Sequence, residues 1–242
     1  MIFGIRAVIE AIEAGKEINK VIVQSGLQGD LYKELRSALA EKDGLIQTVP
    51  VQKLNKISAG NHQGVIAYIS PVPYHRTEDI IPGLWESGKT PLLLILDQIT
   101  DVRNFGAIAR TAQCMGVDAI IIPEKGSAQI NGDAVKTSAG ALLEIPVCRE
   151  KYLKNTIELL KNSGLSIVGC TEKGDTDVQK ADLTGPVAVI LGSEEDGISP
   201  TYLKLCDVQA HIPMFGKIAS LNVSVAAGML LYELQRQRNT GA

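Results

Sequence analysis

Three stretches of this chain hold polar side chains at spacings that could do chemistry. "LDQITDVRNFGAIARTA" carries Asp101, Asn104 and Arg110 around Gly106. "VILGSEEDGIS" sets Glu194, Glu195 and Asp196 between Gly192 and Gly197, and "AHIPMFGKIASLNVSVA" ends on Asn222 and Ser224 among apolar residues. Amides, a hydroxyl, carboxylates and a guanidinium are groups that orient a ligand and hold or accept protons. They form neither the G-x-G-x-x-G of a dinucleotide fold nor the G-x-x-x-x-G-K-[ST] of a phosphate loop. With three histidines and four cysteines, Cys114, Cys148, Cys170 and Cys206, that form no C-x-x-C pair, no metal is expected, and the thiols read as reduced core residues.

Each stretch also has an ordinary structural reading. Asn104 could cap a helix beginning near Phe105, Ser220 could cap the last helix, and Asp196 with Gly197 could be a turn before a helix at Ser199. Arg110, inside a helix of small residues, has no such explanation. Three polar strand ends in one domain point to convergence on one site.

The elements that must position them follow from hydrophobic periodicity. After residue 90, near-continuous apolar runs ("LLLILD", "AIIIP", "EIPVC", "SIVGC", "VAVILG", "VQAHIP") alternate with amphipathic helices, which predicts a mostly parallel sheet covered on both faces. Ligands of such sheets bind beyond the carboxyl ends of the strands, where all three polar stretches fall. Residues 1–75 read as a smaller α/β domain: a helix over Gly4 to Ala14, a strand over Lys20 to Gln24, a helix over Leu31 to Glu41, then strands at Leu45 to Val49 and "GVIAYI". Residues 76–90 read as a linker with one short helix, and residues 91–242 as the larger domain.

At 45% hydrophobic and 21% charged residues, the composition is that of a globular protein. No apolar run approaches the ~18 residues of a membrane span, and the N-terminus lacks the features of a signal peptide, so a cytoplasmic location is expected. The net charge of −3 is not that of a strongly basic nucleic-acid binder. Charge is local, however: Leu45 to Thr77 contains no Asp or Glu. Within it, Lys53, Lys56 and His62 of "KLNKISAGNHQGV" suit an exposed loop that meets a phosphate backbone, with a plain solvated loop as the alternative.

"NFGAIARTA", "LGSEEDGIS" and "IPMFGKIASLNVSVA", in this order, resemble the three motifs of the SpoU (TrmH) family of RNA ribose 2′-O-methyltransferases, of the SPOUT class. The front of the chain is similar to the L30e-like RNA substrate-binding domain found in several members. "PEKGSAQINGDAVKTSAGA" favours the subgroup that methylates a guanosine of 23S ribosomal RNA. The resemblance implies an S-adenosyl-L-methionine pocket shaped by a deep trefoil knot and completed in a homodimer. Gly192, Ile212 and Leu221 are then the cofactor-binding positions, and Asn104, Arg110, Glu194, Asn222 and Ser224 the catalytic ones. A guanidinium stays protonated in proteins, so Arg110 is read as a donor that orients the nucleotide rather than as the base. Val102 stands where members commonly have proline, which removes a fixed φ from this loop. Alternative readings are a transfer-RNA ribose methyltransferase, a catalytically silent RNA-binding relative and, more remotely, a small-molecule methyltransferase.

Overall fold

Period-two alternation in the strands decides which core each residue enters. In the front of the chain, strand β1 (Ile2–Phe3), helix α1 (Ile5–Glu13), strand β2 (Ile18–Gln24), helix α2 (Asp30–Ala38), strand β3 (Ile46–Val49), helix α3 (Val51–Ile57) and strand β4 (Val65–Ile69) follow one another. They build a sheet of order β1-β4-β2-β3, in which β2 and β3 are parallel and β4 pairs antiparallel on both sides. Val21 and Val23 of β2 join Ile5, Val8, Ile9 and Leu35 on one face; Ile22 turns to the other, with Leu54 of α3 and Ile66. Residues Met1–Pro73, with Gln129–Asn131, form one compact unit. The computed structural model describes residues 1–218 and 220–240. The side chains of residues 41–43, and Ala219 of the third polar stretch, lie outside that description.

Two elements here differ from the sequence expectation. The segment with Lys53 and Lys56 is helix α3 rather than a loop, started by Pro50 and anchored by fully buried Leu54. One buried residue in seven is too little periodicity to read. Helix α2 stops at Ala38 and gives way to a 3-10 turn over Ala40–Leu45.

From Tyr74 the chain forms the second unit. Helix α4 (Thr77–Glu86) comes first, then strand β5 (Leu92–Leu96), helix α5 (Val102–Cys114), strand β6 (Ala119–Pro123), helix α6 (Gly132–Thr137) and strand β7 (Val147–Glu150). Next are helix α7 (Leu153–Asn162), strands β8 (Ser166–Cys170), β9 (Thr176–Asp177) and β10 (Val187–Leu191), helix α8 (Pro200–Leu203), strand β11 (Val208–His211) and helix α9 (Val223–Thr240). The sheet order is β7-β6-β5-β10-β8-β11-β9, and every pairing is parallel. All ten residues of β5 and β10 are buried, which requires cover on both faces. One cover includes Leu153, Ile157 and Leu160 of α7 and Ile81 of α4. Because the strands are parallel, their carboxyl ends share one edge, where Leu191 of β10 stands level with Leu96 on one side and Cys170 on the other. The chain winds outward from β5 to β7, then starts again with β8 across β10. That reversal is the switch point at which such sheets open a crevice.

Burial pushes the thiols of Cys148, Cys170 and Cys206 up to about 12, 11 and 11, as expected of inert core cysteines. Cys114, at the end of α5, is instead exposed. No helix of the described chain is long and apolar enough to cross a membrane.

Helix α9 runs from the carboxyl edge of the sheet to the opposite one, about 27 Å for its 18 residues. It buries Val223, Ala227, Leu230, Leu231 and Leu234. At its far end Arg238 donates to the carbonyls of Thr90 (3.0 Å), Pro91 (3.1 Å) and Gly185 (2.7 Å), just before β5 and β10. One turn earlier Glu233, 9% exposed, accepts both arms of Arg236 (2.8 and 2.7 Å) and an amide hydrogen of Gln237 (2.9 Å). Those donors, Arg236 foremost, hold the Glu233 carboxyl at about 2, below its usual 4.5. A carboxyl depressed in the folded state stabilises the fold above its unfolded pKa, and that contribution fades as pH falls toward the folded value. Glu233→Gln is therefore expected to lower the melting temperature at pH 7, with the difference from wild type shrinking between pH 4.5 and 2. Thermal unfolding followed by circular dichroism across that range checks it; a constant difference would contradict it.

Candidate active site

The three polar stretches meet at the carboxyl edge of the second unit. Helix α5 begins at Val102, and its cap is Asp101, whose Oδ1 accepts the backbone N–H of Asn104 (2.7 Å). The expected cap, Asn104, is thus free to use its side chain elsewhere. Val102 occupies the first helical position, where a backbone N–H has no partner within the helix, so proline and valine both fit there. Fully buried Phe105 anchors the helix start, and loss of such a ring costs about 3–5 kcal/mol. Gly106 lets α6 approach: a Cβ there would lie 2.8 Å from Cβ of Thr137 and 2.9 Å from the Ala134 carbonyl.

After β10 the chain folds sharply back. Ser193 and Gly197 form a bridge, Gly197 N–H donates to the Ser193 carbonyl (3.0 Å), and Gly197 has φ +70°. A Cβ on Gly192 would sit 2.0 Å from the Gly197 carbonyl carbon, so glycine is required at 192 by the chain's own return rather than by a ligand's approach. The turn carries Glu194 outward. Its Oε1 accepts Nδ2 of Asn104 (3.0 Å), Nδ2 of Asn222 (2.6 Å) and the backbone N–H of Val223 (3.2 Å).

Asn222 resolves the choice of cap for α9. Its carbonyl accepts the N–H groups of Val225 (3.0 Å) and Ala226 (2.9 Å), and its Oδ1 accepts the N–H (3.0 Å) and hydroxyl (2.5 Å) of Ser224. Asn222, not Ser220, therefore caps the helix. The other end of the same amide donates to Glu194 and to Oδ1 of Asn104 (3.0 Å). Only an amide does both, since it accepts at one atom and donates at the other.

Two cavities flank this cluster and share Ser193, Glu194 and Val223 in their walls. The first, about 90 Å³, lies between the loops after β8, β10 and β11, with Gly192, Ile212 and Leu221 in its lining. The second, about 320 Å³, lies toward β5, with Asp101, Asn104 and Asp196 in its wall. The loop after β8 adds Cys170, Thr171 and Glu172 to the first cavity, residues the motif reading passed over. Their signal was positional: they follow a strand beside the switch point. Asp97, at the end of β5, was also passed over. Its buried carboxylate accepts the N–H of Ser199 (2.8 Å) and so ties the β5 end to the segment after Gly197, although burial raises its pKa.

The structure separates the remaining candidates from the cluster. Arg110 is exposed on α5, six residues and about 9 Å of helix axis beyond Asn104, and pairs with no group among the described residues. In the front unit, Lys53 and Lys56 are exposed at i, i+3 on α3. His62 is 9% exposed rather than presented to solvent: its Nδ1 accepts the Gly64 N–H (3.0 Å) and its Nε2 lies 2.8 Å from Oδ1 of Asn55. The accepting Nδ1 places the proton on Nε2, and both ring nitrogens serve the loop's shape.

A parallel sheet with a crevice at its switch point, lined by orienting donors and joined to a smaller α/β unit, defines a ligand-binding α/β protein of two units. The chain belongs to the SpoU rRNA methylase family, whose model matches residues 91–232, and residues 1–75 match the model described as RNA 2′-O ribose methyltransferase substrate binding. A protein of Staphylococcus saprophyticus assigned to the TrmH family of tRNA/rRNA methyltransferases is 38% identical over 99% of this chain and 96% of its own length. The SpoU methyltransferase AviRb of Streptomyces viridochromogenes, solved in complex with the cofactor AdoMet, superposes with a TM-score of 0.63 at 28% identity, covering 99% of this chain and 90% of that one. The TrmH/SpoU tRNA modifying enzyme of A. aeolicus gives a TM-score of 0.58 at 30% identity over 68% of this chain and 85% of that one.

Asn222→Ala removes a cap and a site donor together. It is expected to destabilise the protein by about 1–2 kcal/mol in urea unfolding. Asn222→Asp keeps the acceptor for Ser224 but turns a second carboxylate oxygen toward Glu194, so it should retain more of the stability near pH 4 than at pH 8. Equal loss at both pH values would argue that Asn222 acts only as a cap.

Proposed function

We propose that the protein transfers a methyl group from S-adenosyl-L-methionine to a ribose 2′-hydroxyl of RNA, as an RlmB-type enzyme acting on a guanosine of 23S ribosomal RNA. The observation that carries this reading is Glu194 Oε1, which gathers Asn104, Asn222 and the start of α9 at the wall common to two cavities. One cavity suits a donor and the other an acceptor.

The first cavity fits the cofactor by its chemistry. Ile212 and Leu221 supply apolar walls for an adenine, and the loop backbone around them supplies hydrogen-bonding groups. The complex of AviRb with AdoMet supports the same assignment. When bound, S-adenosylmethionine supplies a methyl already activated on a sulfonium, so the protein's task is to align the hydroxyl and receive its proton. Asn104 and Asn222, locked by Glu194, orient the ribose, and Ser224 is held beside them. Glu194 or a water takes the proton. Arg110, an unpaired guanidinium, orients the nucleotide through ribose or phosphate.

RNA docks on residues 1–75 through Lys53 and Lys56, which share one face of α3 and pair with no group among the described residues. The match of that segment to a substrate-binding model supports this, while the A. aeolicus relative favours keeping transfer RNA as the second substrate class. The trefoil knot belongs to the same proposal. So does the homodimer: Val225, Met229 and Tyr232 of α9, 50%, 46% and 64% exposed, form an apolar stripe at i, i+4 and i+7 that a second copy would cover. Tyr232→Glu is then expected to shift the protein to monomer in sedimentation velocity; an unchanged species would remove this face from the interface.

The test of the activity is methylation of 23S ribosomal RNA transcript with labelled cofactor, read as resistance to alkaline cleavage at one position. Label on a base would refute ribose transfer, and preference for transfer RNA would move the substrate to the second class. In single-turnover assays Arg110→Lys keeps the charge but not the fork, and is expected to lose at least about tenfold in rate with cofactor affinity unchanged. A wild-type rate that climbs steadily to alkaline pH and is abolished by this substitution would instead make Arg110 the base.

A further inference from the structure

A third cavity, of about 610 Å³, lies between the start of α5 and helix α6. It shares Thr100 and Asp101 with the second cavity, so it adjoins the place proposed for the acceptor nucleotide. Arg103 and Lys136 line it. Both are exposed, and among the described residues neither side chain makes an ion pair or hydrogen bond. Two carboxylates in the same wall leave them unpaired: Asp101 is engaged by the Asn104 N–H, and Asp133 forms no ion pair among the described residues. Arg103 and Lys136 thus bring two cations to one cavity wall beside the place proposed for the acceptor nucleotide, a pair suited to an anion.

We propose that this cavity is a phosphate subsite: Arg103 and Lys136 grip a phosphodiester of the RNA strand next to the target nucleotide. The proposal rests on the functional reading above and extends it. Such a contact carries no base information; it sets the register of the strand and so decides which ribose enters the second cavity. Both are positioning residues. Neither touches the Glu194 cluster in the structure.

The test compares wild type, Arg103→Ala/Lys136→Ala and Arg103→Lys on 23S ribosomal RNA transcript, with cofactor affinity measured calorimetrically as a check on folding. The double variant is expected to raise KM for RNA by about tenfold and to leave kcat within about twofold. Its RNA affinity should fall less steeply with salt, the log–log slope dropping by about 1.4 for two phosphate contacts on a single strand. Arg103→Lys should recover part of the loss, because charge is retained. Unchanged KM and salt slope in an active double variant would overturn the subsite, as would a loss confined to kcat. A wild type that methylates no RNA overturns the functional reading itself, and with it this proposal.

Discussion

The candidate site converges on one carboxylate oxygen. Glu194 Oε1 receives two side-chain amides and a backbone N–H, from α5 and from the start of α9. Hydrogen bonds to a charged acceptor are worth about 1.5–3 kcal/mol when protected, but Glu194 is exposed and water competes for it. The bonds therefore record an arrangement that other contacts enforce. Gly192 lets the chain return on itself, Asp97 ties β5 to Ser199, and the level ends of β5, β8 and β10 bring the loops to one edge.

The parallel sheet was legible because strands buried on both faces have no polar positions, and five-residue runs such as "LLLIL" and "VAVIL" state that directly. The site was legible as three polar strand ends, and four of the five catalytic candidates do lie in one hydrogen-bonded group. Which residue caps which helix was not legible. Asp101 and Asn104 are both good caps three positions apart, as are Ser220 and Asn222 two apart, and backbone dihedrals rather than residue types decide between them. Two-residue β9 has too few side chains to show a period. His62 looked exposed because its neighbours are polar and glycine-rich; only the partners of its two nitrogens reveal it as part of the loop's frame.

On the proposed reading, the gathered donors address ribose and phosphate, which every nucleotide carries. An arrangement of that kind can align a hydroxyl without choosing among RNAs. Choice then falls to surfaces that read shape and backbone path over a longer span, which is where the front unit and its unpaired lysines enter. Relatives assigned to both ribosomal and transfer RNA are compatible with one reaction centre served by different docking surfaces.

Helix α9 also dictates an order of events. Residues 222 to 238 follow every strand of the sheet in sequence, yet they supply the Asn222 amide at one edge and the Arg238 clasp on Thr90, Pro91 and Gly185 at the other. During synthesis the front unit can fold early, as N-terminal domains do. The second unit can pair its strands while the candidate site still lacks one wall and one of its three amide and carboxylate partners. On the proposed reading, competence thus waits on a helix that follows the whole sheet in sequence, and a chain with only its sheet formed still lacks the Asn222 amide.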